Sequence, residues 1–160
     1  MISCLQFPGT FKVFKIPNEY GNYLKQILNN INNDNYIWKV TEDEVYTPNN
    51  TDYLFPQEKN MLENIEFMEI ISQESYYTFF VNIQVYNKED KTTIDTYADF
   101  LKSSCILILL ITDSKFVEVY AKDENILKII YENASENQFS DIQYIEEYDI
   151  KRKIFSAYSD

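Results

Sequence analysis

Apolar residues recur at helical spacing near the N-terminus, directly after Pro17. Asn18 is a suitable helix cap, and Glu19 suits the first turn. The segment 29–35 that follows is rich in asparagine, which is typical of the loop that ends a helix. Apolar residues three and four positions apart lie on the same face of a helix, and the pattern therefore predicts an amphipathic helix. Its apolar face consists of Tyr20, Tyr23, Leu24, Ile27, Leu28 and Ile31.

Alternating and continuous apolar runs predict strands in the rest of the chain. Segment 76–86 alternates, and segment 105–112 is continuously apolar but far shorter than the ~20 residues of a membrane span. Asp113–Lys115 is a tight turn that joins this run to segment 116–122, which predicts an antiparallel hairpin. Further extended segments are predicted at 2–7 and 11–16 around Pro8-Gly9, at 36–46 with Trp38 in the core, and at 142–146 and 150–158.

Three more helices are predicted from their caps and apolar faces. Asn64 can cap the helix of Phe67, Met68 and Ile71; Thr96 and Asp99 form a capping box; and Asp123 caps a longer helix. The hairpin excludes a purely parallel sheet. We therefore expect an α+β fold, a mixed or mainly antiparallel sheet with about four helices packed on it. The 160 residues suit a single domain spanning 1–160.

Missing residue types exclude several kinds of chemistry. The chain has no histidine, and this removes imidazole-based nucleophile activation and histidine-ligated metals. Gly9 and Gly21 are its two glycines, too few for a P-loop or a dinucleotide-binding loop. Cys4 and Cys105 form no CxxC motif and are expected to be reduced. The N-terminus lacks the pattern of a signal peptide. We expect a cytoplasmic protein without a cofactor.

The net charge of −12 is concentrated in two acidic blocks. Residues 41–74 contain nine acids and one base, residues 132–149 contain six acids and no base, and the rest of the chain carries +2. This balance disfavours nucleic acid and anionic membranes as partners. The blocks are either solvated faces that aid solubility or a docking surface for a basic protein, if they meet in space. The oligomeric state is left open.

The candidate site residues are the tyrosines and two carboxylate clusters, Glu42-Asp43-Glu44 and Glu146-Glu147-Asp149. Neither cluster has the glycine-turned spacing of a calcium loop, and we assign no metal site and no catalytic residue. The 14 tyrosines suit either a binding surface or the composition of an AT-rich genome. Tyr76 and Tyr77 are of interest because they too lie beside acidic residues in the sequence. The predicted partner-binding residues are Glu42, Asp43, Glu44, Glu146, Glu147, Asp149, Tyr144 and Tyr148.

Three stretches resemble a family of small proteins from Gram-positive, spore-forming bacteria, the domain of unknown function numbered 2691. They are residues 14–21 (FKIPNEYG), 54–56 (LFP) and 100–105 (FLKSSC) with the apolar strand that follows. The resemblance implies a bacterial cytosolic protein and brings no activity, cofactor or catalytic residue. It also implies that the first string caps the first helix, with Gly21 inside its first turn for close packing or for turn geometry rather than for chemistry.

Three functions are compatible with these observations. The first is a non-enzymatic protein-binding module, of the immunity, inhibitor or regulator type, that docks a basic partner through the acidic blocks. The second is a carboxylate-based enzyme, with or without the assistance of a metal, which requires a pocket where carboxylates converge and one pKa is raised. The third is a small-molecule sensor with an aromatic pocket.

Overall fold

The computed structural model describes residues 11–49, 52–87, 93–145 and 156–157. The predicted strand at 2–7, the Pro8-Gly9 turn and most of the strand predicted at 150–158 lie outside these residues. The described strands are β1 Phe11–Lys15, β2 Ile37–Tyr46, β3 Met61–Glu63, β4 Tyr77–Tyr86, β5 Cys105–Thr112, β6 Phe116–Ala121 and β7 Ser140–Ile145. The described helices are α1 Tyr23–Leu28, α2 Asn64–Ile71, α3 Tyr97–Lys102 and α4 Glu124–Glu136.

The described strands form one sheet in the order β3-β2-β4-β5-β6-β1-β7. Every neighbouring pair is antiparallel, including the predicted β5–β6 hairpin, which runs in register from Leu107 opposite Ala121 to Thr112 opposite Phe116. The α+β class is confirmed. The sheet is larger than we predicted and the helices contribute less, because three of the four described helices span eight residues or fewer.

Apolar residues cover both faces of the sheet, and each face has its own core. On β4, Val81, Ile83 and Val85 point into the first core, which α1, α2 and α4 cover. The alternate residues of β4 point to the opposite face. There the second core consists of Tyr86, Ile94, Phe100, Cys105, Ile108, Leu110 and Tyr120. The polar side chains of Asn82 and Gln84 on β4 are buried on this second face.

Helix α1 begins at Tyr23, four residues later than the Asn18 cap predicts, and this prediction was wrong. Gly21 and Tyr76 exchange backbone hydrogen bonds of 3.0 and 3.1 Å, and this bridge commits the Gly21 backbone to Tyr76 instead of to a helical turn. Gly21 therefore lies outside the helix. A Cβ atom there would come within 2.7 Å of the Tyr23 ring, in agreement with the expected close packing.

Asn64 is the first residue of α2, and Glu63 takes the cap position that we predicted for Asn64. The Asn64 side chain is buried and accepts a 2.9 Å hydrogen bond from Trp38 Nε1. The Trp38 ring, which is fully buried as predicted, stacks on Phe67 with a centroid distance of 4.0 Å. The polar Asn64 side chain is needed in the core because the indole N–H has no access to water.

The two remaining caps were predicted correctly. Thr96 and Asp99 form the reciprocal capping box at the start of α3. Asp123 accepts a 2.8 Å hydrogen bond from the backbone N–H of Asn125 at the start of α4. Both helices begin where a side-chain oxygen satisfies a backbone donor that the helix itself leaves unpaired.

Candidate functional site

Glu42 lies in a β-bulge of β2, where the pairing with β4 shifts between Thr41 and Glu44. Its backbone has a positive φ of 50°. The Glu42 carboxylate accepts hydrogen bonds from Asn82 Nδ2 (3.1 Å), from the Ala157 backbone N–H (3.2 Å) and from the Ser156 hydroxyl. The predicted partner-binding carboxylate of Glu42 therefore binds groups of its own chain, and we call these four residues the Glu42 cluster.

The Glu42 cluster continues into a line of buried polar side chains on β4. Gln84 donates to Asn82 Oδ1 at 3.4 Å, and the Tyr86 hydroxyl donates to Gln84 Oε1 at 2.7 Å. All three side chains are buried. A satisfied network of this kind fixes the register of the strands that carry it.

Asp43 is half-buried beside the loop that follows β2. Its Oδ2 accepts a 3.0 Å hydrogen bond from Gln57, and its Oδ1 is buried without a partner among the described residues. Burial raises the pKa of Asp43 to about 6. The hydrogen bonds from Gln57 and from the Val45 backbone lower this pKa and offset only part of the rise. The Asp43 carboxyl group thus gains a proton in mildly acidic solution.

Glu44 lies beside a group of tyrosines at one end of the sheet. The Tyr46 hydroxyl donates to Glu44 Oε1 at 3.3 Å, and the Tyr46 and Tyr53 rings lie 5.3 Å apart. Burial, and then Glu44, raise the pKa of Tyr46. Tyr53 is 47% exposed, and Asp52 precedes it on the surface.

Tyr77 extends this group across β4, because it pairs directly with Tyr46. The Tyr20 ring lies 5.5 Å from the Tyr77 ring and is 45% exposed. The Tyr77 hydroxyl donates to Asn18 Oδ1 at 2.6 Å and shares a 2.7 Å hydrogen bond with Ser114 Oγ. We call Tyr20, Tyr46, Tyr53 and Tyr77 the tyrosine row.

Acids lie next to the tyrosine row in the sequence and in space. Glu19 precedes Tyr20 and accepts a 2.9 Å hydrogen bond from Tyr23, while Glu44 and Asp52 lie at Tyr46 and Tyr53. The row thus combines flat, partly exposed rings with negative charge. Such a surface suits cationic side chains, which bind to ring faces and to carboxylates.

The other predicted residues lie elsewhere. Tyr144 is on β7, which is five strand spacings from β2 in the sheet, a separation of about 24 Å. It lines a groove of about 410 Å³ beside α4, together with Lys128 and Tyr131. Glu146, Glu147, Tyr148 and Asp149 lie outside the described residues, and the convergence of the two acidic blocks stays a prediction.

Tyr76, which we noted beside Tyr77, is a core residue. It is fully buried, and its hydroxyl donates to the Ile71 carbonyl at 2.7 Å. Burial raises the pKa of Tyr76 well above its ordinary value. The two adjacent tyrosines therefore differ in role, because alternate residues of an extended segment face opposite sides.

The described part of the chain holds no metal-binding constellation: no three Cys, His, Asp or Glu side chains are grouped to hold an ion. Among its four helices, none is long and apolar enough to cross a membrane. Cys105 is buried, and burial raises the pKa of its thiol to about 11. A thiol in this state is a poor nucleophile.

A comparison with known protein families shows which family the chain belongs to. Residues 13–156 match the family described as "Protein of unknown function (DUF2691)". The chain belongs to this family. It is also similar to "Uncharacterized protein YncE" of Bacillus subtilis (strain 168), with 33% identity over 136 residues that cover 82% of this chain and 88% of that protein. The resemblance in the sequence is thereby confirmed. No solved structure matches the chain.

Sequence reasoning identified Tyr77 and Glu44 but missed Tyr20, Tyr46 and Tyr53 as one group. A signal was present, because each of these three tyrosines follows an acid by one or two positions (Glu19-Tyr20, Glu44-Val45-Tyr46, Asp52-Tyr53). The pairing that brings them together depends on the bulges of β2 and β4. Such bulges are not readable from hydrophobic periodicity.

Proposed function

We propose that the chain is a non-enzymatic protein-binding module that docks a basic protein partner, as an immunity, inhibitor or regulatory protein does. The observation that carries this proposal is the tyrosine row with Glu19, Glu44 and Asp52 beside it. Tyr20 and Tyr53 are each close to half exposed, and large aromatic side chains of this kind dominate binding energy at protein interfaces.

Charge favours a basic partner. Residues 41–74 carry nine acids and a single base, Lys59. That base forms a 3.0 Å ion pair with Glu66. The negative potential around the tyrosine row would speed the approach of a cationic protein and disfavour nucleic acid and anionic membranes. A cytoplasmic location is part of the same proposal.

Helix α2 adds an exposed apolar residue to the acidic surface. Ile65 is 68% exposed, and Glu66 and Glu69 lie on the same helix within four positions. An isoleucine at this exposure gains by burial against a partner. Apolar contacts surrounded by charged groups are the usual composition of a transient protein interface.

Not all predicted partner-binding residues support this proposal equally. Glu44 lies at the tyrosine row, whereas Glu42 binds Ser156 and Ala157 and is assigned to the fold. Asp43 contributes charge above its pKa of about 6. Tyr144 and the acids at 146–149 remain a second proposed docking segment, on the strength of the net charge of −6 between residues 132 and 149.

A carboxylate-based enzyme is the second candidate, and one observation favours it. Asp43 has the raised pKa, about 6, that acid–base catalysis requires. Neither the groove at Tyr144 nor the pocket between β1 and β6 is lined by Asp43. Because Asp43 lies outside these two pockets, it supports an enzyme less well than the tyrosine row supports docking.

Affinity capture from a lysate of the source bacterium tests the proposal. The immobilised proteins are the wild type, the double variant Glu44→Gln/Asp52→Asn, and the control Asp34→Asn/Asp95→Asn, which removes two exposed acids outside residues 41–74 and 132–149. We expect basic proteins that bind the wild type and the control at about 0.05 M salt and elute by about 0.5 M. Equal capture by all three variants, or capture that salt does not weaken, would refute the proposal.

A further inference from the structure

A pocket of about 430 Å³ lies on the second face of the sheet, where β1, β6 and β7 meet. Pocket-lining residues on the three strands are directly paired, with Lys15 opposite Phe116, and Val13 opposite both Glu118 and Gln143. Paired residues point to the same face of a sheet. The floor of the pocket is therefore built from alternate side chains of adjacent strands.

Charged side chains of both signs line this pocket. Lys15 Nζ forms a 2.9 Å ion pair with Asp141, and both side chains are largely open to solvent. Glu118 lies on the neighbouring strand and accepts a 2.6 Å hydrogen bond from the Tyr120 hydroxyl. A carboxylate has about four acceptor sites and can take an ammonium group as well. An exposed ion pair is weak, and a ligand that replaces its contacts can separate it.

Much of the remaining surface of the pocket is apolar, and Thr112 and Gln143 are its uncharged polar lining residues. Phe116 is 39% exposed, and the ammonium groups of Lys15 and Lys115 lie 5.5 and 5.2 Å from the centre of its ring. Val13 lies beside Phe116 on the floor. A ligand that separates the Lys15–Asp141 ion pair leaves one of the two groups without a partner unless the ligand carries both charges itself.

We infer that this pocket binds a free amino acid with an apolar side chain. The carboxylate of the amino acid pairs with Lys15, its ammonium group pairs with Glu118 and Asp141, and its side chain packs on Val13 and Phe116. The pocket volume is within the range of small-molecule sites and accommodates a side chain as large as an indole. This inference is independent of the docking of a basic protein at the tyrosine row.

Calorimetric titration of the full chain tests the inference with a panel of L-leucine, L-isoleucine, L-methionine, L-phenylalanine and L-tryptophan. At least one is expected to bind. Its N-acetyl derivative lacks the ammonium charge and its amide lacks the carboxylate, and each is expected to bind at least tenfold more weakly. Absence of binding by the whole panel at about 10 mM would overturn the inference, as would equal binding of either derivative.

Variants of the pocket locate the binding. Lys15→Met and Glu118→Gln are each expected to weaken binding at least tenfold, while Lys128→Met, on helix α4 at the opposite face of the sheet, leaves it unchanged. Thermal unfolding of each variant shows whether it is folded. If Lys15→Met does not fold, Lys15→Arg replaces it and is expected to retain binding. Binding that both Lys15→Met and Glu118→Gln leave unchanged would overturn the assignment to this pocket.

Discussion

The carboxylate of Glu42 accepts a hydrogen bond from the backbone N–H of Ala157, a residue 115 positions later in the chain. The same carboxylate accepts from Asn82 and Ser156. A single side chain on a bulge of β2 thus binds the described C-terminal residues to the sheet. Ala157 is almost completely buried at this point.

Removal of the Glu42 carboxylate is expected to destabilise the fold. Glu42→Ala leaves the Asn82 amide, the Ser156 hydroxyl and the Ala157 N–H without their acceptor, at a cost of about 2–3 kcal/mol in the free energy of unfolding. Glu42→Gln keeps one acceptor oxygen and is expected to cost about 1 kcal/mol. Urea denaturation measures both values. Glu44→Gln is the matched control, and a Glu42→Ala variant as stable as this control would contradict the prediction.

Asn64→Ala is expected to destabilise the first core through Trp38. The substitution leaves the buried indole N–H without an acceptor, which costs about 1–3 kcal/mol. Trp38 is the single tryptophan of the chain, and its fluorescence reports the same site during unfolding. Asn35→Ala, on the exposed loop before β2, is expected to change the free energy of unfolding by less than about 0.5 kcal/mol. Equal stabilities of the two variants would show that the Trp38–Asn64 hydrogen bond contributes nothing.

Asp43 is expected to make the fold less stable as the pH rises through 6. Its pKa is raised from 3.8 to about 6 in the folded chain. Below about pH 3 the carboxyl group is largely neutral in both states, between about pH 4 and pH 6 it ionises first in the unfolded state, and above pH 6 the folded state bears the cost of a half-buried charge. The loss is about 1 kcal/mol, because solvent screens part of the effect.

Asp43→Asn is the variant that checks this sign. It is expected to be more stable than the wild type at pH 7 and to lose the advantage at pH 4, as measured by thermal unfolding at the two pH values. Glu58→Gln, an exposed carboxylate of the same loop, is expected to show no such difference. A wild-type chain that gains stability relative to Asp43→Asn between pH 4 and pH 7 would contradict the raised pKa.

Gly21→Ala is expected to destabilise the fold although Gly21 is outside any helix. The new Cβ would come within 2.7 Å of the Tyr23 ring, and the ring must move from its contact with Phe139. Overpacking of this kind costs about 1–3 kcal/mol. Thermal unfolding measures the cost, and an unchanged melting temperature would show that the ring moves freely.

Much of the fold was predictable from local patterns. The continuous apolar run of β5, the alternation of β4 and the caps of α3 and α4 all depend on residues a few positions apart. The start of α1 was not predictable in this way. Its apolar spacing extends back to Tyr20, but the backbone bridge between Gly21 and Tyr76 prevents helix there. Pairing with a residue 55 positions away overrides local preference.

The candidate site was less predictable than the fold. The clustering of acids in residues 41–74 was readable from the sequence, but the inward orientation of Glu42 was not. It results from a positive φ and a bulge, which depend on how β2 pairs with β4. The tyrosine row likewise forms only once Tyr46 and Tyr77 lie opposite each other.

The salt dependence of partner affinity tests the docking proposal most directly. The measurement is the dissociation constant of a captured partner for the wild type and for Tyr53→Leu, at about 0.05 M and about 0.5 M salt. We predict that the higher salt weakens wild-type binding at least tenfold, and that Tyr53→Leu weakens it at least tenfold at the lower salt without a change in melting temperature. A dissociation constant that neither the salt nor the loss of the Tyr53 ring alters would contradict the account.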